Sequence, residues 1–126
     1  MKKEIKTRKA PLPVGPYSQA VLVGNALFIS GQIGIDPETG KLVEGFESQV
    51  VRIFKNLEEI LKSAGFELSH VVRVGVYIVE GADFKLFNSL YSEFFKGVEI
   101  KPARSTIIVR SLPLGALLEI DAIAIK

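Results

Sequence analysis

The hydrophobic periodicity of the chain changes along its length, and this change restricts the fold more than any other feature. From Phe46 to Ala64, and again from Phe84 to Phe95, apolar side chains recur at helical spacing with polar residues between them. Runs of β-branched residues of strand length lie before, between and after these two segments. The pattern predicts an α+β domain with a single mixed sheet and two helices, in the order ββ(β)αβαββ.

Local signals place the ends of these elements. Gly65 is a typical C′ residue for the first helix, Asp83 is a good N-cap for the second, and Gly97 is expected to end the second. The strands Ser18–Val23 and Ala26–Ser30 are predicted to form a hairpin, because Gly24-Asn25 between them is a two-residue turn signal.

Further local signals mark the edges of the sheet and its longer connections. A short edge strand is expected over residues 3–7, and a turn over residues 36–40. The last two strands, residues 104–110 and 116–125, are joined through Ser111–Gly115 and are interpreted as a hairpin.

Two of the strands carry apolar residues on both faces, which predicts more burial than one chain provides. These are Val71–Val79 and Ala116–Ile125. A chain of 126 residues has room for one domain, spanning residues 1–126, and its two helices can cover only one face of the sheet. We therefore expect the second face to pack against another copy of the chain, although periodicity does not fix the number of copies.

Composition excludes several classes of site and partner. The chain has no cysteine and a single histidine, His70, so disulfides, thiolate nucleophiles and histidine-rich metal sites are excluded. A net charge of +2 makes nucleic acid an unlikely partner, and the one basic cluster, residues 2–9, is interpreted as a solvated segment. No apolar run is long enough to cross a bilayer, and no signal peptide is read. A cytoplasmic protein without a membrane partner is expected.

Arg104 is the polar residue that most needs an explanation. It stands at the start of the apolar strand Ile107–Val109, where an unpaired buried guanidinium would cost several kcal/mol. Glu119 and Asp121, two residues apart on the last strand, share one face of it. A hairpin of suitable register would bring Arg104 to Glu119. The pattern alone favours such a structural ion pair, and a ligand carboxylate is the alternative anion.

Other polar residues give weaker signals. Tyr17 follows the rigid Gly15-Pro16, Ser30-Gly31 ends a strand, and Asn88 lies on the second helix, where it is expected to be solvated. The serines have no evident base, which speaks against acyl-enzyme chemistry. An arginine can bind a carboxylate, and a glutamate can transfer a proton or position a water molecule. This pair suits a reaction that already proceeds readily in water, such as imine hydrolysis.

Several segments together resemble the RidA family of reactive intermediate deaminases, also called the YjgF or endoribonuclease L-PSP family. The resemblance runs nearly end to end, and the joint order and spacing of its segments are specific. The matching segments are Ala10-Pro11, Gly15–Ala20, Phe28–Ile33, Asn56-Leu57, Ala64-Gly65, Phe87-Asn88, Tyr91, Phe94-Phe95, Pro102–Ser105, Leu112-Pro113 and Glu119–Ala124.

The resemblance implies a chorismate-mutase-like fold, a homotrimer and sites in the clefts between subunits. It implies a 2-iminobutanoate/2-iminopropanoate deaminase, which hydrolyses imines released by pyridoxal-phosphate dehydratases to 2-keto acids and ammonia. No metal or organic cofactor is implied.

The resemblance also assigns roles to individual residues. Arg104 would bind the substrate carboxylate, and Glu119 would orient or activate water. Four residues would shape the pocket: Tyr17, Ser30, Gly31 and Asn88. Thr106 would contribute through its backbone. Many family members have cysteine at this last position, so its absence here argues against an essential thiol.

Two other functions remain open from the sequence. One is a regulatory protein that binds small 2-keto acids in the same pocket without turnover. The other is a ribonuclease or translation inhibitor, against which the low net charge and the absence of paired histidines speak.

Overall fold

The computed structural model describes all 126 residues and has the predicted α+β composition. The helices are α1 (Phe46–Ser63) and α2 (Phe84–Phe94), and short 3₁₀ helices cover Leu68–His70 and Pro113–Gly115. The strands are β1 (Lys2–Ile5), β2 (Ala20–Val23), β3 (Ala26–Gln32), β4 (Ile35–Asp36), β5 (Lys41–Leu42), β6 (Val71–Val79), β7 (Ala103–Val109) and β8 (Leu118–Ile125).

Six strands form one mixed sheet in the order β1-β2-β3-β8-β6-β7. The β6–β7 pair is parallel and the other pairs are antiparallel. The hairpin predicted at Gly24-Asn25 is present as β2–β3. The expected turn at residues 36–40 connects β4 to β5, a separate two-stranded hairpin whose strands are too short for a periodicity signal.

The hairpin predicted from the last two strands is wrong. β6, α2 and β7 form a crossover unit, which makes β7 parallel to β6 and places it at the edge of the sheet. β8 then inserts between β3 and β6, so β6 separates it from β7. β7 and β8 are consecutive in sequence but are not neighbours in the sheet, because the helical connection before β7 makes β6 its partner.

The helix ends follow the capping residues in part. Gly65 has φ 78° directly after the C-cap of α1, and the Asp83 carboxylate accepts a hydrogen bond from Leu86 N at 3.0 Å, as predicted. The prediction that Gly97 ends α2 is wrong, because the helix stops at Phe94. The ammonium group of Lys101 donates to the carbonyl of Phe95 at 2.8 Å, so a side chain caps this end instead of a glycine.

Both helices pack on one face of the sheet, where Val74, Val76 and Ile78 of β6 join the hydrophobic core. The other face carries exposed apolar side chains, including Phe28 at 46% and Ile107 at 50% exposure. We refer to these as the helix face and the open face. The predicted self-association requires an uncovered apolar face of this kind. No helix is both long and apolar enough to span a membrane.

Candidate functional site

Glu119 lies on the open face, directly across the β6–β8 ladder from Tyr77. Its carboxyl group rests on Gly31, where an added Cβ would lie only 2.8 Å from Glu119 Cδ. A real Cβ does not approach another carbon this closely, so any larger residue at position 31 would displace the carboxyl group. Gly31 is therefore needed for the space it leaves and not for an unusual backbone conformation.

A β-bulge sets the position of Gly31. The β3–β8 register passes from the Ile29–Ala122 pair to the Gln32–Ile120 pair, so Ser30 and Gly31 together face one residue of β8. The strand therefore continues past Ser30, where the sequence predicted its end. The Ser30 hydroxyl donates to the Ser18 carbonyl at 2.6 Å, which ties the bulge to the preceding loop.

A cavity of about 230 Å³ opens beside the bulge and brings three of the predicted site residues together: Tyr17, Gly31 and Glu119. Its other walls come from the proline-rich loop at residues 11–14, from residues 32–35, and from Pro113 and Leu114. We call Tyr17, Ser30, Gly31 and Glu119 the glutamate group.

Gln19 holds the proline-rich loop in place, a function that the sequence did not reveal. The side chain is 1% exposed. Its Oε1 accepts from Thr7 N at 2.7 Å, and its Nε2 contacts the carbonyl oxygens of Thr7, Ala10 and Pro11 at 2.9, 3.2 and 2.7 Å. The available signal was a glutamine at the start of an apolar run, directly after a loop whose prolines lack backbone N–H donors.

Arg104 lies on the opposite face of the sheet from Glu119. It pairs with Val74 of β6, whose side chain points into the helix-side core. The guanidinium carbon lies 4.7 Å from the ring centre of Tyr91 and 5.5 Å from that of Phe87, both on α2. These distances are those of cation–π contacts.

The ion pair between Arg104 and Glu119 that the sequence favoured does not form within one chain. Two strand spacings, about 10 Å in total, separate β7 from β8, and the two side chains occupy opposite faces. The three ion pairs of the structure all involve Lys62 or Lys96, so no carboxylate neutralises Arg104. The guanidinium is half-buried and has aromatic neighbours but no anion.

Two further predicted site residues belong to the elements around Arg104. Thr106 pairs with Val76 and shares the helix face with Arg104. Asn88 follows Phe87 on α2 and is half-buried, whereas the sequence suggested a solvated position. We call Asn88, Arg104 and Thr106 the arginine group. The structure thus divides the predicted site residues into two groups on the two faces of the sheet.

Electrostatics distinguish the two carboxyl groups of β8. Burial raises the pKa of Glu119 above its usual value, and the nearby charge of Asp121 raises it further. Asp121 Oδ2 accepts a hydrogen bond from the Tyr77 hydroxyl at 3.0 Å, and this bond is the main reason why the pKa of Tyr77 is also raised. Glu119 accepts no such hydrogen bond, and burial is the main reason why its pKa is raised.

The aromatic neighbours of Arg104 keep its surroundings apolar. Burial raises the pKa of Tyr91, and the charge of Arg104 acts against this shift. Tyr91 Oη is enclosed without a hydrogen-bond partner. A guanidinium fork on such a surface is suited to binding a carboxylate with two parallel hydrogen bonds.

Comparisons with known protein sequences cover nearly the whole chain. The sequence model of the family "Endoribonuclease L-PSP" matches residues 7–126. A RutC family protein of Aquifex aeolicus is 57% identical over 124 residues, covering 98% of this chain and 99% of the relative. The human 2-iminobutanoate/2-iminopropanoate deaminase is 43% identical and covers 100% of this chain and 91% of the relative.

Solved structures have the same fold. The crystal structure of Escherichia coli TdcF with bound serine superposes with a TM-score of 0.93 at 35% identity, covering 98% of each chain. The chain therefore belongs to the endoribonuclease L-PSP family, also called the RidA or YjgF family.

Proposed function

We propose that the protein is a 2-iminobutanoate/2-iminopropanoate deaminase, which hydrolyses small 2-imino acids to 2-keto acids and ammonia. The observation that carries the proposal is the state of Arg104, a half-buried guanidinium without a carboxylate partner. A half-buried charge without a partner lowers the stability of the fold unless a ligand supplies the anion. The names of the human and mouse relatives support an imine as the substrate.

Each site is proposed to combine the arginine group of one subunit with the glutamate group of the next, in a homotrimer. The opposite placement of Arg104 and Glu119 supports this arrangement, because the two side chains cannot meet around one small substrate within one chain. The apolar open face supports it as well, since self-association would cover Phe28 and Ile107.

In the proposed reaction, the guanidinium of Arg104 binds the carboxylate of the imino acid and fixes the position of its C2. Water adds to C2 of the protonated imine while the Glu119 carboxylate accepts a proton from it, giving a carbinolamine. Glu119 returns this proton to the nitrogen, the C–N bond breaks as ammonia leaves, and the C2 hydroxyl gives its proton to the Glu119 carboxylate and from there to solvent, which leaves the ketone. One imine and one water thus give one 2-keto acid and one ammonia.

The test is a coupled assay in which a threonine dehydratase releases the imine. Purified protein is expected to speed the appearance of 2-ketobutanoate, and the Arg104→Ala variant is expected to lose this effect. Absence of any acceleration by the wild-type protein would refute the deaminase function. If 2-keto acids then still bound saturably in an Arg104-dependent manner, a regulatory protein without turnover would be the better description.

The geometry gives no comparable support to RNA cleavage. A polar groove with four basic side chains also carries three carboxylates, which would repel phosphate groups. Its residues are Arg8, Lys9, Asp36, Pro37, Glu38, Arg52, Lys55 and Glu59.

A further inference from the structure

Arg104 differs from Arg52, the other half-buried arginine, in what holds its side chain. Arg52 Nε donates to Asn56 Oδ1 at 3.0 Å, whereas the Arg104 guanidinium makes no hydrogen bond and no ion pair within the chain. A long side chain without such bonds ordinarily samples several rotamers. The contacts that the structure gives to the Arg104 guanidinium are with aromatic rings.

These rings belong to Phe87 and Tyr91, which we call the ring pair. The two residues are four apart on α2, so they lie on one side of the helix, and their ring centres are 5.7 Å apart. The guanidinium carbon of Arg104 lies within reach of both ring faces, at 5.5 and 4.7 Å from the two centres. The cation is therefore attracted to two neighbouring rings at once.

The ring pair is itself fixed by the hydrophobic core. Phe87 is fully buried, at 0% exposure. The centre of the Tyr91 ring lies 4.8 Å from that of Phe95 and 6.2 Å from that of Phe54 on α1, which are ordinary distances for packed aromatic side chains. The positions of the two rings are therefore set by the fold and not by a ligand.

The hydroxyl group of Tyr91 adds nothing to this contact. It is enclosed and makes no hydrogen bond, so the ring is the part of Tyr91 that acts on Arg104. Phenylalanine at this position would supply an equivalent ring and would remove a buried polar atom that lacks a partner. Tyr91→Phe is therefore a conservative replacement.

The orientation of the Arg104 guanidinium matters because a carboxylate binds it through two parallel hydrogen bonds. Such binding requires the plane and direction of the guanidinium to match those of the carboxylate. No protein acceptor takes any of its N–H donors, so they are available to a ligand. A side chain that is ordered before the ligand arrives loses less conformational entropy on binding.

We propose that Phe87 and Tyr91 are positioning residues, which hold the guanidinium of Arg104 in the orientation in which it binds the substrate carboxylate. This inference rests on the proposed function only in taking a carboxylate as the ligand of Arg104. Neither residue needs to touch the substrate, because both act through the arginine.

The first experiment observes the Arg104 side chain in the protein without ligand. NMR relaxation of its Nε–H group, assigned by its loss in Arg104→Lys, is expected to show a more ordered side chain than that of the exposed Arg110. Tyr91→Leu keeps an apolar side chain but removes the ring. It is expected to lower the order of the Arg104 Nε–H group and to reduce its ring-current shift.

The comparison with Arg110 needs no substitution in the ring pair, so it stands even if Tyr91→Leu does not fold. An Arg104 side chain as mobile as that of Arg110 in the wild-type protein would overturn the inference. Unchanged order of Arg104 in a folded Tyr91→Leu variant would overturn it as well.

The second experiment measures the affinity for 2-ketobutanoate by calorimetry, which requires no turnover. Tyr91→Leu is expected to weaken binding by about fivefold or more, and Tyr91→Phe to keep the wild-type affinity. Phe94→Leu is the matched control. Phe94 stacks on Phe54 with ring centres 4.3 Å apart but makes no cation–π contact with Arg104, so its loss should lower stability and leave the affinity unchanged.

The outcomes separate this inference from the deaminase function. A protein that binds 2-ketobutanoate with this dependence on Tyr91 but hydrolyses no imine would refute the deaminase function and support the positioning role. Three binding results would overturn that role. They are a loss of affinity in Tyr91→Phe, an equal loss in Phe94→Leu and Tyr91→Leu, and a wild-type protein that binds no 2-keto acid.

Discussion

At the scale of single residues, Arg104 shows why the sequence could single out a residue that needs an anion and still predict the wrong partner for it. The need of a guanidinium for an anion follows from its chemistry and was evident from the apolar strand around it. The partner of Arg104 depends on the order of the strands in the sheet. A change of register or an inserted strand alters which side chains lie next to one another. Within the chain, Arg104 has only the rings of Phe87 and Tyr91.

Replacing Arg104 by leucine should therefore abolish ligand binding at little cost in stability. The variant loses two cation–π contacts, worth about 0.5–1 kcal/mol each, and is relieved of a half-buried charge without an anion. We expect the midpoint of thermal unfolding, measured at fixed protein concentration, to move by no more than a few degrees. A large loss of stability would indicate that Arg104 has a structural partner after all.

Gly31→Ala should reduce activity by displacing Glu119. The added Cβ would lie 2.8 Å from Glu119 Cδ, and a shift of about 1 Å in a catalytic group can cost on the order of 10²-fold in rate. The kinetic effect is expected in kcat of the imine assay. Gly97→Ala is the control, because nothing lies within 4 Å of its new Cβ, and it should leave kcat as it is.

The pH dependence of activity should follow the charge next to Glu119. If Glu119 acts as a base, activity rises with pH through its pKa, and burial and Asp121 hold that pKa above its usual value. Asp121→Asn removes the repelling charge, lowers the pKa of Glu119, and should move the acidic limb of the kcat/KM profile to lower pH. Tyr77→Phe keeps the negative charge of Asp121 and should not move the acidic limb to lower pH. A shift to lower pH in both variants would exclude the charge of Asp121 as the cause.

At the scale of elements, helices and strands were predictable wherever a periodic pattern spanned the whole element. The capping roles of Gly65 and Asp83 are local and were predicted correctly. The end of α2 depends on Lys101, and the bulge at Ser30-Gly31 depends on pairing with β8. Neither feature is encoded in a local pattern, so the sequence could not indicate them.

The proline-rich loop should depend on Gln19 for its structure. Gln19→Leu leaves the Thr7 amide and three carbonyl groups without their partner, which should lower the free energy of unfolding by about 2–4 kcal/mol. Denaturant unfolding measures the change. Gln32→Leu removes another buried glutamine, 6% exposed, whose side chain makes no hydrogen bond, so it should cost clearly less. Equal losses would argue that burial of Gln19, and not its hydrogen bonds, stabilises the loop.

At the scale of the whole molecule, the two groups of site residues on opposite faces are the main feature. The sequence predicted an uncovered face from Val71–Val79 and Ala116–Ile125, each apolar on both sides. The structure leaves this face open in one chain and separates Arg104 from Glu119 across the sheet. The proposed assembly accounts for both facts, because it covers the open face and brings the two groups together.

The most direct test is complementation between two inactive variants. Arg104→Ala and Glu119→Gln subunits, carrying different tags, are co-expressed and the mixed oligomers are purified. If each site takes one residue from each of two subunits, every mixed trimer has one interface that joins an intact Arg104 to an intact Glu119, which restores about one third of the sites. The account predicts imine hydrolysis near that fraction of the wild-type rate, although either variant alone is inactive. Mixed oligomers no more active than their parents would contradict it.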